Sequence, residues 1–109
     1  MICLHNTDKI LFMLSIAAKA GKTSCGSFLA ETAIKKNKAK LVIIADDASD
    51  NTKKQFNNMA SYRKVPVLEY GTKSELGHFT GNEERSVVAV TDINLANGIK
   101  DIVDKTKNG

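Results

Sequence analysis

The grouping Gly21-Lys22-Thr23, inside "AKAGKTSCGS", has the glycine, lysine and hydroxyl with which nucleotide-binding loops grip phosphate. That chemistry also needs a glycine five residues earlier, a preceding strand and a following helix, so that backbone N–H groups converge on the phosphates. Five residues before Gly21 stands Ile16, inside a helical pattern, and the loop is excluded. Asp46-Asp47 follow a β-branched run, where a paired carboxylate could hold Mg²⁺ or accept a phosphoryl group. A receiver-type site would add an aspartate ending a later strand and a lysine ending the last one; "VPVLEYG" and "VVAVTD" do not supply them. Asp46 and Asp47 therefore read as loop residues near a helix start, with an acidic Mg²⁺ or phosphotransfer site as the alternative. Cys25 has no assignable general base, and His5 and His78 lack partners at triad spacing. Cys3 and Cys25 lack metal-ligand spacing as well. The expectation is no catalytic residue, no metal and no cofactor.

The elements that must position these residues follow from periodicity. Ile10, Leu11, Leu14, Ala17 and Ala18 form one stripe of a helix over residues 8–20, with Asn6 or Thr7 as N-cap and Gly21 beyond its end. A short extended piece, 22–25, leads to Gly26 as cap of a second helix, 27–36, whose Ala30, Ala33 and Ile34 face inward. "KLVIIA" and "RSVVAVT" are apolar, β-branched runs of strands buried on both faces, the first of them central. Ser49 caps a helix to Tyr62, and a strand over 65–69 carries Pro66, an edge signal. Thr72-Lys73-Ser74-Glu75 is a capping box, and Asp92 starts a last helix that Asn97-Gly98 weakens in its middle. Only "KTKNG" looks loose. Strands alternating with helices predict a three-layer α/β/α sandwich on a mixed four-stranded sheet, with all 109 residues in one domain.

Composition narrows the class. No apolar run approaches the roughly 20 residues of a membrane span, and "KILFMLSIAA" lacks the basic flank of a signal peptide, so a cytoplasmic protein with no membrane partner is expected. The 16 basic against 12 acidic residues suit an anionic partner without demanding one.

Taken together, "AAKAGKTSCGSFLAETAIKKNKAKLVIIADDASDNTKKQF", "VPV", "SELGHFTG" and "RSVVAVTD" resemble the L-seven-Ae ribosomal protein family, a kink-turn RNA-binding superfamily, and its small bacterial YlxQ-like branch. The resemblance spans roughly residues 8–103. It implies a non-catalytic protein of ribonucleoprotein type that binds structured RNA, ribosomal RNA or the ribosome being the expected partner. It further implies an RNA face built from the start of the second helix, the loop after the central strand and the loop before the last strand. In this chain those are 26–32, 46–49 and 81–85, with Lys22, Gly26, Ser27, Phe28, Thr32, Asp47, Gly81, Asn82, Glu83 and Arg85 as the candidate RNA-binding residues. Where kink-turn binders of the family carry Asn, Glu and Lys, this chain has Phe28, Leu29 and Thr32, which points to another RNA than a standard kink-turn.

The helical period adds that Phe28, Glu31, Thr32 and Lys35 lie opposite the buried face, so Phe28 is expected to be exposed and able to stack a base. Lys22 and Arg85 are the expected phosphate contacts, with Lys22 beside the second helix's N-terminus. Lys38 and Lys40 belong to the opposite end, and Lys35 and Lys36 lie a helix length away. A protein-interaction adaptor is a further alternative, which would show a contiguous exposed apolar patch.

Overall fold

The computed structural model describes residues 6–81 and 83–108, and side chains over 9–81 and 83–104. Along the chain run α1 (Asn6–Lys19), β1 (Thr23–Cys25), α2 (Ser27–Lys35), β2 (Leu41–Ile44), α3 (Asp50–Tyr62), β3 (Val67–Glu69), α4 (Lys73–Phe79), β4 (Val87–Val90) and α5 (Ile93–Asn108). The strands form one four-stranded sheet in the order β1-β4-β2-β3. Every residue of β2 and β4 is buried, as continuous apolar runs require when helices cover both faces. The two are antiparallel, with Ile44 opposite Val87 and Leu41 opposite Val90. Antiparallel β1 and parallel β3 form the edges, so the sheet is mixed as expected. Pro66 precedes the β3 edge, its carbonyl accepting the Val42 N–H.

Helix α1 packs on α4 and α5 on one face, while α2 packs on β1, β4 and α3 on the other. Ile10, Leu11 and Leu14 from α1 join Ala30, Ala33 and Ile34 from α2, Phe56 from α3, Leu76 from α4 and Ile99 from α5 in the core around β2 and β4. The helix stripes read from the sequence are thus the buried ones.

The helices are punctuated by local chemistry. Three end in Schellman turns, where the residue past the helix adopts a left-handed conformation and late carbonyls are recaptured. At α1 the N–H groups of Gly21 and Lys22 donate to Ala18 and Ala17 carbonyls. At α2 and α3 the left-handed residues are Asn37 (φ 61°) and Lys64 (φ 60°). Ser49 caps α3, Thr72 and Glu75 form the capping box on α4, and the Asp92 carboxylate accepts the Asn94 and Leu95 N–H groups at the start of α5.

Four boundaries differ from the sequence expectation. Asn6 and Thr7 are already helical, so neither caps α1. The Val65 N–H closes the last turn of α3 on the Ala60 carbonyl, which delays β3 to Val67. Helix α5 runs through Asn108 and takes in most of "KTKNG". It also passes unbroken through Asn97-Gly98, because Gly98 lets α1 approach: a Cβ there would sit 2.8 Å from Met13 Cε.

Candidate nucleic-acid interface

The end of the sheet defined by Cys25, Ile44 and Val87 gathers the three segments expected to form an RNA face. Gly26 turns the chain from β1 into α2 with φ 91° and ψ 160°, a left-handed conformation that favours glycine. Its N–H donates to the Val87 carbonyl at 2.9 Å, which ties the start of α2 to the head of β4. No side chain caps α2, so the first-turn N–H groups of Ser27, Phe28 and Leu29 lack an intrahelical partner. Aligned peptide dipoles add partial positive charge there, the combination that suits phosphate.

Arg85 lies across this helix start. Its Cδ and Nε come within 3.6 and 3.7 Å of the point where a Gly26 Cβ would project. The Arg85 N–H donates to the Lys73 carbonyl at 3.1 Å, and its Nη1 to the Glu84 carbonyl at 2.9 Å. Between the start of α2 and Glu84–Ser86 opens a cleft of about 340 Å³. Ser27 is exposed on its rim. Phe28 stands 78% exposed, as the helical phase requires, and Leu29 is 53% exposed beside it. Thr32 is differently placed: its hydroxyl donates to the Phe28 carbonyl at 2.9 Å, a bond within the helix that occupies the proton it would offer to a base.

The 46–49 loop docks at the same end. The Ala45 N–H donates to the Ser86 carbonyl at 2.8 Å and the Asp46 N–H to the Gly71 carbonyl at 2.7 Å. Asp47 Oδ1 accepts the Lys73 N–H at 2.8 Å, so this carboxylate fastens the loop to the start of α4. Among the described residues no group of three His, Cys, Asp or Glu side chains is placed to hold a metal ion.

The third segment, 81–85, rests on α4. Gly81 is exposed with φ 76°, and Glu83 and Glu84 are exposed. Asn82 lies outside the described residues, as do Cys3 and His5. The Glu83 carbonyl sits directly on Gly77, where a Cβ would overlap its oxygen and lie 3.0 Å from Glu84 Cα. Only glycine at position 77 lets this loop lie so low on α4. Sequence reasoning missed Gly77, whose only signal was a buried glycine inside a capped helix, and it missed the exposure of Leu29, which falls beside Ala33 on a helical wheel.

Lys22 is not part of this assembly. Its neighbour Thr23 pairs with Val90, the far end of β4, and the Lys22 carbonyl accepts the Thr91 N–H at 2.8 Å. The length of β1, a rise of about 3.3 Å per residue, separates Lys22 from Gly26. The expectation that Lys22 stands beside the start of α2 is corrected: it shares the opposite end of the sheet with Lys40. What remains around the cleft is acidic in balance, with Asp46, Asp47, Glu83 and Glu84 against Arg85 and Lys73. Anion binding here would rest on the helix start and one guanidinium rather than on a surplus of lysines.

No helix among the described residues is long and apolar enough to cross a membrane. The chain is 33% identical to the RNA-binding protein YlxQ of Enterococcus faecium, over 91% of this chain and 95% of that protein. It is 38% identical to the RNA-binding protein YlxQ of Bacillus subtilis, over 84% and 92%. Among solved structures, a Bacillus halodurans protein of unknown function superposes with TM-score 0.84 at 29% identity, over 88% of this chain and 97% of that one. The Giardia lamblia 15.5kD RNA binding protein shares the fold at TM-score 0.78 and 23% identity, over 99% and 92%. The model of the Ribosomal protein L7Ae/L30e/S12e/Gadd45 family matches residues 8–101, and with that span and these relatives the chain belongs to this family, in its YlxQ-like bacterial branch.

Proposed function

We propose that this protein binds structured RNA without catalysing a reaction, through the uncapped start of α2 and the loops beside it, with ribosomal RNA as the expected partner. The observation that carries the reading is the cleft itself: unpaired N–H groups of Ser27, Phe28 and Leu29, the Arg85 guanidinium, and an exposed Phe28 converge on one opening. Two relatives named as RNA-binding proteins support it. The N–H groups and Arg85 would hold a backbone phosphate and set register, while Phe28 would stack an unpaired base. Phe28 and Leu29 offer no hydrogen bonds from their side chains, and the Thr32 hydroxyl is committed to the helix backbone. These three positions therefore favour a splayed, stacked base over the hydrogen-bonded reading of sheared pairs.

Fluorescence anisotropy of labelled ribosomal RNA fragments against the protein, across a salt series, tests this. At least one fragment should bind more tightly than unstructured poly(U), with affinity that Arg85→Ala and Phe28→Ala both reduce. Equal, weak binding to every fragment and to poly(U) would remove the reading.

A further inference from the structure

At the opposite end of the sheet the charge balance reverses. Lys22, Lys36, Lys38, Lys40, Arg63 and Lys64 are all exposed there, where α1, α2 and α3 end and β1, β2 and β3 begin. The acid among these turns, Asp92, already caps α5 through the Asn94 and Leu95 N–H groups. Between the ends of α2 and α3 lies a second cleft of about 340 Å³, lined by Asn37, Lys40, Arg63, Lys64 and Lys100 among others, with no carboxylate in its wall. Ion pairs among the described residues form at Lys35–Glu31 and Lys53–Glu69, and neither pair lines it.

The cleft is organised by neutral groups that leave its charges uncompensated. Arg63 Nη1 donates to Asn37 Oδ1 at 3.3 Å, while its guanidinium lies 5.6 Å from the centre of the exposed Tyr62 ring. Asn37 and Lys64 both adopt left-handed backbone, so the corners of α2 and α3 fold toward each other and bring these side chains together. Cations at helix C-termini can simply complement the helix dipole. That account covers Lys36 and Arg63 but not Lys40, which leads into β2, or Lys100, in the interior of α5.

We propose that this cleft is a second RNA contact, a sequence-neutral seat for backbone phosphates at the end of the sheet away from the α2 cleft. The proposal rests on the RNA-binding reading above. It divides the labour between the ends: the acidic-balanced α2 end supplies stacking and one phosphate grip, and the Lys40–Arg63–Lys64–Lys100 end supplies counter-charge. A phosphate-rich strand suits the cleft better than an acidic protein surface, since Arg63 and three lysines offer several N–H donors for the many oxygens of closely spaced phosphates.

The test compares K40A/R63A/K64A, K40R/K64R and Phe28→Ala in the full chain, with labelled poly(U) and ribosomal RNA fragments as probes and thermal melting as a fold control. All three substituted sites are exposed, so the triple variant should melt like the wild type. It should lose about tenfold or more in affinity for poly(U) and for every fragment alike. Its plot of log affinity against log salt should flatten by about 2, since each lost phosphate contact on a single strand contributes roughly 0.7. K40R/K64R should retain binding. Unchanged poly(U) affinity and salt slope in the triple variant overturns the cleft proposal, and the RNA reading itself stands if Phe28→Ala still weakens the fragments. Failure of the wild type to prefer any fragment over poly(U) instead removes the reading at the α2 end. Displacement of poly(U) only by polyglutamate acting through these same cations, with RNA binding unaffected by their loss, would assign the cleft to an acidic protein and refute the RNA contact.

Discussion

Gly77→Ala isolates the packing that seats the interface. In an ordinary helix interior this change stabilises by about 0.8–1 kcal/mol, because alanine loses less backbone entropy than glycine. Here the new methyl would overlap the Glu83 carbonyl oxygen, lie 2.5 Å from its carbon and 3.0 Å from Glu84 Cα, where ordinary contacts begin at 3.4 Å. Those atoms are backbone and cannot rotate away. The 83–85 segment must retreat by about 1 Å or more, and a gap of that size forfeits roughly a quarter to a half of the dispersion attraction it opens. Overpacking costs about 1–3 kcal/mol, and a clash with backbone belongs in the upper half of that range. Subtracting the propensity gain leaves a net destabilisation of about 1–2 kcal/mol, which lowers Tm by roughly 4–15 °C at this chain length. Amide NMR shifts should move at Glu83–Ser86 and, through Arg85, at Gly26–Leu29. Gly98→Ala is the control: its methyl meets only Met13 Cε, the free end of a flexible side chain, so the change should be near neutral. A Gly77→Ala protein stabilised by about 1 kcal/mol, with those shifts unmoved, would refute the close approach.

Three further outcomes follow from the same geometry. Phe28→Ala should change folding stability by less than about 0.5 kcal/mol, because the ring is 78% exposed. It should nevertheless cost about 1–3 kcal/mol of RNA affinity at an unchanged salt slope; urea unfolding and anisotropy check the two halves. Gly26→Ala meets Arg85 only at ordinary contact distance, so its cost is the left-handed backbone at φ 91°, about 1–2 kcal/mol by chemical denaturation. Ser49→Ala removes the hydroxyl that accepts the Thr52 N–H at 3.2 Å, and should lower Tm through a loss of about 1 kcal/mol without touching RNA affinity.

What the sequence disclosed and what it withheld divide along physical lines. Local signals were legible. The all-apolar "LVII" and "VVAV" could only be strands covered on both faces, and the Ala30–Ala33–Ile34 stripe put Phe28 in solvent. Ser49, Thr72 and Glu75 announced their helix starts by chemistry that acts over three residues. Relations between distant segments were not legible. The direction and register of β1 depend on Val88–Val90, more than sixty positions away, and they carry Lys22 to the far end. The bond from the Lys73 N–H to Asp47 and the seat of Glu83 on Gly77 likewise depend on loops meeting in space, and neither leaves a mark at the residues concerned beyond their type. The pairing of Asn37 with Arg63, across 26 positions, is of the same kind.

The most direct test of the account is ultraviolet crosslinking of the protein to RNA in living cells, with the bound RNA sequenced and the adducts mapped on the peptides. The account predicts enrichment of structured ribosomal RNA and adducts on the Ser27–Leu29 peptide, with Phe28 the modified residue. No RNA above the uncrosslinked control, or adducts that leave Ser27–Leu29 and Arg85 untouched, would contradict it.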